Sequence, residues 1–258
     1  MNSGIRALST TYEENMGIET QGNPIDDTQR FYAKLAGFMY LLNYATSVFG
    51  AIAPGVIRGT GTLAEQSQRI IASEGLYRTA LTSMAIGWVL IVFLAFSLYV
   101  VLEPVNRRLA QLALFLELCQ ASVGAVSVVF SFLVLGIYTG MRPGSIQNDQ
   151  LQALAQILER PPGSGFTISM MFLAAGSTIF FYLFYRSRYI PRPLAAWGVF
   201  SSVLMMIVSV AMLIFPDYTR TLQYGWGPLG LTEVGTALWL MIVGIRQPAV
   251  RTLEIAHA

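Results

Sequence analysis

Six apolar stretches, each close to the length needed to cross a bilayer, run through this chain: Leu35 to Val56, Leu81 to Leu102, Leu109 to Tyr138, Phe166 to Tyr185, Leu194 to Phe215 and Leu229 to Ile245. A hydrocarbon core of about 30 Å takes roughly 20 residues of α-helix. Inside it every backbone N–H and C=O must be paired within the protein, which restricts each stretch to helix. The predicted fold is therefore all-α: a polytopic membrane protein with six transmembrane helices in one bundle. Only 12% of the 258 residues are charged, against about 25% in soluble domains, and 54% are hydrophobic.

The basic residues set the expected orientation. With the N-terminus inside, the inner segments hold Arg6, Arg30, Lys34, Arg107, Arg108, Arg186, Arg188, Arg192, Arg246 and Arg251. The outer ones hold Arg58, Arg69, Arg78, Arg142, Arg160 and Arg220. Ten against six places both termini in the cytoplasm, and the short basic loops "EPVNRR" and "RSRYIPRP" carry most of that argument. Arg107, Arg108, Arg186, Arg188, Arg192 and Arg246 then read as anchors for anionic headgroups. Residues 1–29 form an acidic tail, with Glu13, Glu14, Glu19, Asp26 and Asp27 against Arg6 for a net −4. It lacks the basic start and short apolar core of a signal peptide, and is expected to be mobile. The transmembrane domain covers residues 30–246, and residues 247–258 are a short tail.

Much chemistry is excluded by counting. Cys119 and His257 are the only cysteine and the only histidine, so no intrachain disulfide and no site with paired Cys or His ligands can form. No metal site is predicted and no cofactor is indicated. The single lysine, Lys34, stands at a membrane edge, where a buried Schiff base is not expected. A near-neutral chain with its cations spread over helix ends is no nucleic-acid binder.

Two outer loops are expected to be structured. "GTLAEQSQRIIASEGLYRTAL", residues 61–81, has few helix breakers and reads as a helix leading into the second span. "SIQNDQLQALAQILER", residues 145–160, spaces Leu151, Leu154, Ile157 and Leu158 as one helical face that caps the bundle or lies on the membrane. Gly225, Gly227 and Gly230, around Trp226 and Pro228, read as a turn into the sixth span.

Polar residues inside the spans carry the functional question. An ionised group at the bilayer centre costs from about 3 to more than 10 kcal/mol, so Glu117 must be protonated, paired or wetted by a cavity. It lies nine residues from Arg108, about 13 Å along the helix, too far to snorkel. Glu117, Gln120, Gly124, Ser127 and Ser131 form one stripe on the third span. Tyr40, Asn43, Tyr44, Ser47 and Gly50 form another on the first, at matching depth. The sixth span adds Thr232, Glu233 and Thr236, somewhat nearer the outer side. The candidate ligand- or proton-binding residues are Glu117, Glu233, Asn43, Gln120 and Tyr44. Ser97, Ser177, Thr178, Ser201 and Ser202 read instead as packing residues, which small polar side chains between membrane helices commonly are.

Several segments resemble a known family: "RFYAKLAGFMYLL" at the first span, "LEPVNRRLAQLAL" and "FYLFYRSRYIPRPLAAWGV" across the inner loops, Phe215 with Pro216, and "TEVGTALWLMIVG" at the last span. They are similar to bacterial membrane proteins grouped as domain of unknown function 4386, over roughly residues 30 to 246. Ser187, Ile190, Pro191, Leu194 and Gly198, and Glu233 with Leu238, Trp239 and Leu240, carry the likeness most specifically. The resemblance implies a six-span protein of a bacterial or archaeal cytoplasmic membrane, with a glutamate at position 233 and no assigned activity. Around Glu117 the family often has a basic residue followed by an acidic one, where this chain has an acid followed by an amide.

The expected function is that of a non-enzymatic integral membrane protein binding a small ligand, lipid or proton in its polar interior. The alternative is a structural or accessory subunit packed against a larger membrane complex. No constellation of nucleophile and base supports an enzyme. The expected partners are the lipid bilayer and, on the second reading, other membrane subunits.

Overall fold

A computed structural model describes residues 25–140 and 164–246, so the expected tails before residue 25 and after 246, and the amphipathic segment 145–160, lie outside the described residues. Among the described residues the chain is all-helical, without a strand. These residues form eight α-helices: α1 (Asp27–Arg58), α2 (Leu63–Ala72), α3 (Glu74–Leu102), α4 (Arg107–Gly140), α5 (Ser164–Ser187), α6 (Arg192–Ile214), α7 (Thr219–Leu222) and α8 (Gly227–Ile242). Five of them, α1, α3, α4, α5 and α6, are long and apolar enough to cross a membrane. The sixth apolar stretch is α8, whose 16 residues span only about 24 Å.

Local chemistry sets the helix ends. The Asp26 carboxylate accepts from the Gln29 N–H at 2.6 Å, so α1 begins within the stretch that the sequence assigns to the acidic tail. Thr62 and Glu65 cap α2 reciprocally, the Thr62 N–H donating to Glu65 Oε2 at 2.9 Å and the Glu65 N–H to Thr62 Oγ1 at 3.4 Å. The expected single helix into the second span is interrupted at Ser73 (φ −117°, ψ 27°), which separates α2 from α3. Asn106 Oδ1 accepts from the Leu109 N–H at the start of α4. At the end of α5, Arg188 takes a left-handed conformation (φ 60°). The stretch expected to turn into the sixth span is instead helical: short 3₁₀ segments at Pro216–Tyr218 and Gln223–Trp226 flank α7, and Gly230 lies inside α8. Trp226 holds this region down by donating from Nε1 to Ser209 Oγ at 3.1 Å.

The long helices pack in sequence, α1 on α3, α3 on α4, α4 on α5, α5 on α6 and α6 on α8, and α8 returns to α1, so the contacts close into a ring. Neighbours run antiparallel. Gln29 Nε2, at the start of α1, donates to the Val101 carbonyl at the end of α3 (3.1 Å), and Ser83 near the start of α3 donates to the Thr46 carbonyl in the second half of α1 (3.1 Å). After α8 the Arg246 N–H donates to the carbonyl of Tyr189 in the α5–α6 loop (3.1 Å). Both ends of the described chain thus lie at the end of the ring that holds the two short basic loops.

Polarity is inverted relative to a water-soluble protein. Phe93, Phe115, Phe130, Phe200 and Ile207 point outward and are about half exposed or more, while Glu117, Gln120, Thr232, Glu233 and several serines are buried. A soluble monomer rarely exposes so continuous an apolar surface, whereas a lipid-facing one does. Cys119 is exposed, two residues from the inward-facing Glu117.

Candidate functional site

Three helices deliver the polar groups to one place. The stripe on α4 turns Glu117 and Gln120 inward, the stripe on α1 does the same for Tyr40 and Asn43, and α8 presents Glu233 from the far side of the ring. Together with Ile91, Leu94, Ala95 and Leu98 of α3 and Leu173 of α5 they line a small, partly enclosed cavity of about 40 Å³. Glu117, Gln120 and Glu233 are 6%, 3% and 8% exposed. Of the five candidate residues, four line the cavity. Tyr44 stands beside it and donates from its hydroxyl to Glu233 Oε2 at 3.3 Å.

Each carboxyl group has one hydroxyl partner and is seated with the help of one glycine. The Ser177 hydroxyl of α5 donates to Glu117. A β-carbon at Gly176, beside it, would lie 2.6 Å from Glu117 Oε1. A β-carbon at Gly230 would lie 2.6 Å from the Tyr44 hydroxyl, so the Tyr44–Glu233 pair depends on the absence of a side chain there. No Arg, Lys or His lines the cavity, and neither carboxyl takes part in an ion pair among the described residues. Asn43 Oδ1 accepts from Ser47 Oγ at 3.3 Å. Gln120 Oε1 is buried without a hydrogen-bond partner among the described residues.

The remaining polar residues divide as small residues in membrane helices do. Ser97, Thr178, Ser201 and Ser202 donate to carbonyls of their own helices at 2.6–3.2 Å. Thr232 donates to the Pro228 carbonyl and shares a hydrogen bond with Ser201 across to α6. Ser177 is the exception: read from the sequence as packing, it is the partner of Glu117. Its depth was the available signal, since Ser177 lies nine residues before Arg186 as Glu117 lies nine after Arg108. Tyr40, noted only as part of a stripe, also lines the cavity.

The six arginines read as anchors are all exposed and sit at the end of the ring holding the basic loops, apart from the cavity. Arg107 pairs with Glu103 at 3.1 Å, Arg192 lies over the Tyr185 ring at 5.6 Å and Arg246 over the Trp239 ring at 4.4 Å. Among the described residues no three His, Cys, Asp or Glu side chains come together as metal ligands.

An all-helical fold with an apolar exterior, a cluster of polar groups within its core and five helices of membrane-crossing length has the makeup of a polytopic membrane protein. It belongs to the family described as domain of unknown function (DUF4386), whose model matches residues 35–244. No curated protein and no solved structure matches it.

Proposed function

We infer that this is a six-span integral membrane protein whose small polar chamber binds protons on Glu117 and Glu233. α8 is short for a span, but the helical turns from Pro216 to Trp226 lead directly into it and extend its reach. The end of the ring that gathers the basic loops faces the cytoplasm by the excess of positive charge, which puts both termini inside and the six arginines at the inner headgroups.

The observation that carries the reading is that two carboxyl groups, from helices far apart in sequence, line one small cavity without a cationic partner among the described residues. Two such groups cannot both stay ionised there at acceptable cost: a first, shared proton leaves one negative charge, and a second neutralises the pair. Size narrows the ligand. A water needs roughly 10–15 Å³, so about 40 Å³ holds two or three waters, whereas a drug-sized molecule needs roughly 300–1,000 Å³. Of the ligand, lipid or proton that the sequence leaves open, the chamber suits the smallest. Tyr44 holds Glu233.

Infrared difference spectra of the reconstituted protein between acidic and alkaline pH test this. A protonated-carboxyl band that shifts in deuterium oxide and disappears in the Glu117→Gln/Glu233→Gln variant is expected, with helix content unchanged by circular dichroism. A band that survives the double substitution contradicts the reading. The accessory-subunit alternative predicts a stoichiometric complex on mild purification from native membranes. Its one structural feature is an apolar groove of about 600 Å³ along α1, lined by residues such as Val48, Phe49 and Ile52, which lipid tails fill equally well.

A further inference from the structure

We propose that the chamber takes up a single dehydrated monovalent cation of the sodium class in exchange for one proton. This rests on the proton-binding reading and adds the ion that competes for the same oxygens.

The donor set is the first argument. The side-chain acceptors carried by the lining residues are all hard oxygens: the carboxyl groups of Glu117 and Glu233, the amide oxygens of Gln120 and Asn43, and the Tyr40 hydroxyl. Oxygen-only sites suit hard cations and leave the softer transition metals without nitrogen or sulfur ligands. The second is Gln120 itself. Its Oε1 is buried at the chamber wall with no donor among the described residues, and buried acceptors of this kind are normally satisfied. A proton on one carboxyl group offers a hydrogen bond to a single acceptor, whereas a cation satisfies several oxygens at once.

Charge selects the valence. One proton and one monovalent cation together neutralise the two carboxylates, and no basic side chain is needed. Mg²⁺ keeps several of its waters, for which about 40 Å³ has no room, and Ca²⁺ would have to displace both protons at once. In the exchange the O–H bond of one carboxylic acid breaks, its proton passes to bulk water, and the cation takes its place on the carboxylate oxygens. The net charge of the chamber is unchanged. The titratable groups facing it are Glu117 from α4, Glu233 from α8, Tyr40 from α1 and, through Glu233, Tyr44; α3 presents apolar side chains, and α5 presents Leu173 and Ser177.

The test uses the full chain in lipid nanodiscs, freed of sodium and weakly buffered, with radioactive sodium binding, a pH indicator and the carboxyl infrared band read together. Saturable sodium binding that releases one proton per ion and weakens the band is expected. Gln120→Met is expected to lower sodium affinity by about tenfold or more, the scale on which metal sites respond to loss of a supporting group. If the band is present but saturating sodium neither binds nor releases protons, the cation assignment is overturned while the proton site stands. If wild type has no carboxyl band, both readings fail together. Equal responses to sodium, potassium and choline chloride, or release by Ca²⁺ in preference to sodium, overturn the monovalent assignment.

Discussion

Replacing Gly176 with alanine places a methyl carbon where the Glu117 carboxyl group now rests. The new β-carbon would sit 2.6 Å from Oε1, 3.1 Å from Cδ and 3.2 Å from Cγ. Non-bonded heavy atoms settle at roughly 3.5 Å, so the carboxyl oxygen must withdraw by about 0.9 Å. Pressing it against the facing wall is overpacking, which costs about 1–3 kcal/mol. Swinging it into the chamber forfeits the Ser177 hydrogen bond, worth about 1 kcal/mol, and displaces water volume. Against either route stands the helix-propensity gain of alanine over glycine, about 1 kcal/mol. A net loss of up to about 2 kcal/mol against wild type follows, or about 1–3 kcal/mol against a glycine-to-alanine change without the clash, together with a weaker carboxyl band. Gly136→Ala is the control: it is helical, nothing lies within 4 Å of its β-carbon, and it collects the same gain without the clash. Unfolding both variants reversibly in one mixed-micelle system checks the difference. Gly176→Ala as stable as Gly136→Ala would mean that Glu117 is not seated on α5.

Two further substitutions probe the frame around the chamber. Thr62→Ala removes the acceptor for the Glu65 N–H and is expected to cost about 1 kcal/mol, read as faster hydrogen exchange in α2 than in α1; unchanged exchange contradicts the cap. Arg188→Gly relieves a left-handed conformation that costs a side-chain-bearing residue about 1–2 kcal/mol, so the unfolding midpoint is expected to rise; a fall would show that the Arg188 side chain contributes more than the strain.

How far the sequence could be read depended on how many residues carry each signal. The long spans are redundant: α4 would remain apolar over 34 residues after any single change, so its extent was plain. Glu117, Asn43 and Gln120 were legible because a polar group at that depth has few explanations, and helical periodicity assigned them to a face. The α2–α3 junction was not, since it turns on the backbone of Ser73, and the nearest glycine, Gly75, lies two residues further on, already inside α3. The glycines near Trp226 suggested a turn because glycine permits one, yet at Gly230 it admits the Tyr44 hydroxyl between helices. That contact depends on an α8–α1 packing that no local pattern encodes. Ser177 was hidden for the same reason: only its neighbour across the α4–α5 interface distinguishes it from the other serines.

The account depends on Glu117 and Glu233 sharing one chamber, and a double-mutant cycle measures that sharing directly. The unfolding free energies of Glu117→Gln, Glu233→Gln and the double variant are compared with wild type in one lipid or micelle system. Groups facing one cavity and competing for one proton are expected to deviate from additivity by about 0.5–3 kcal/mol. Strict additivity, within about 0.3 kcal/mol, would mean that the two acids occupy separate environments and would contradict the chamber.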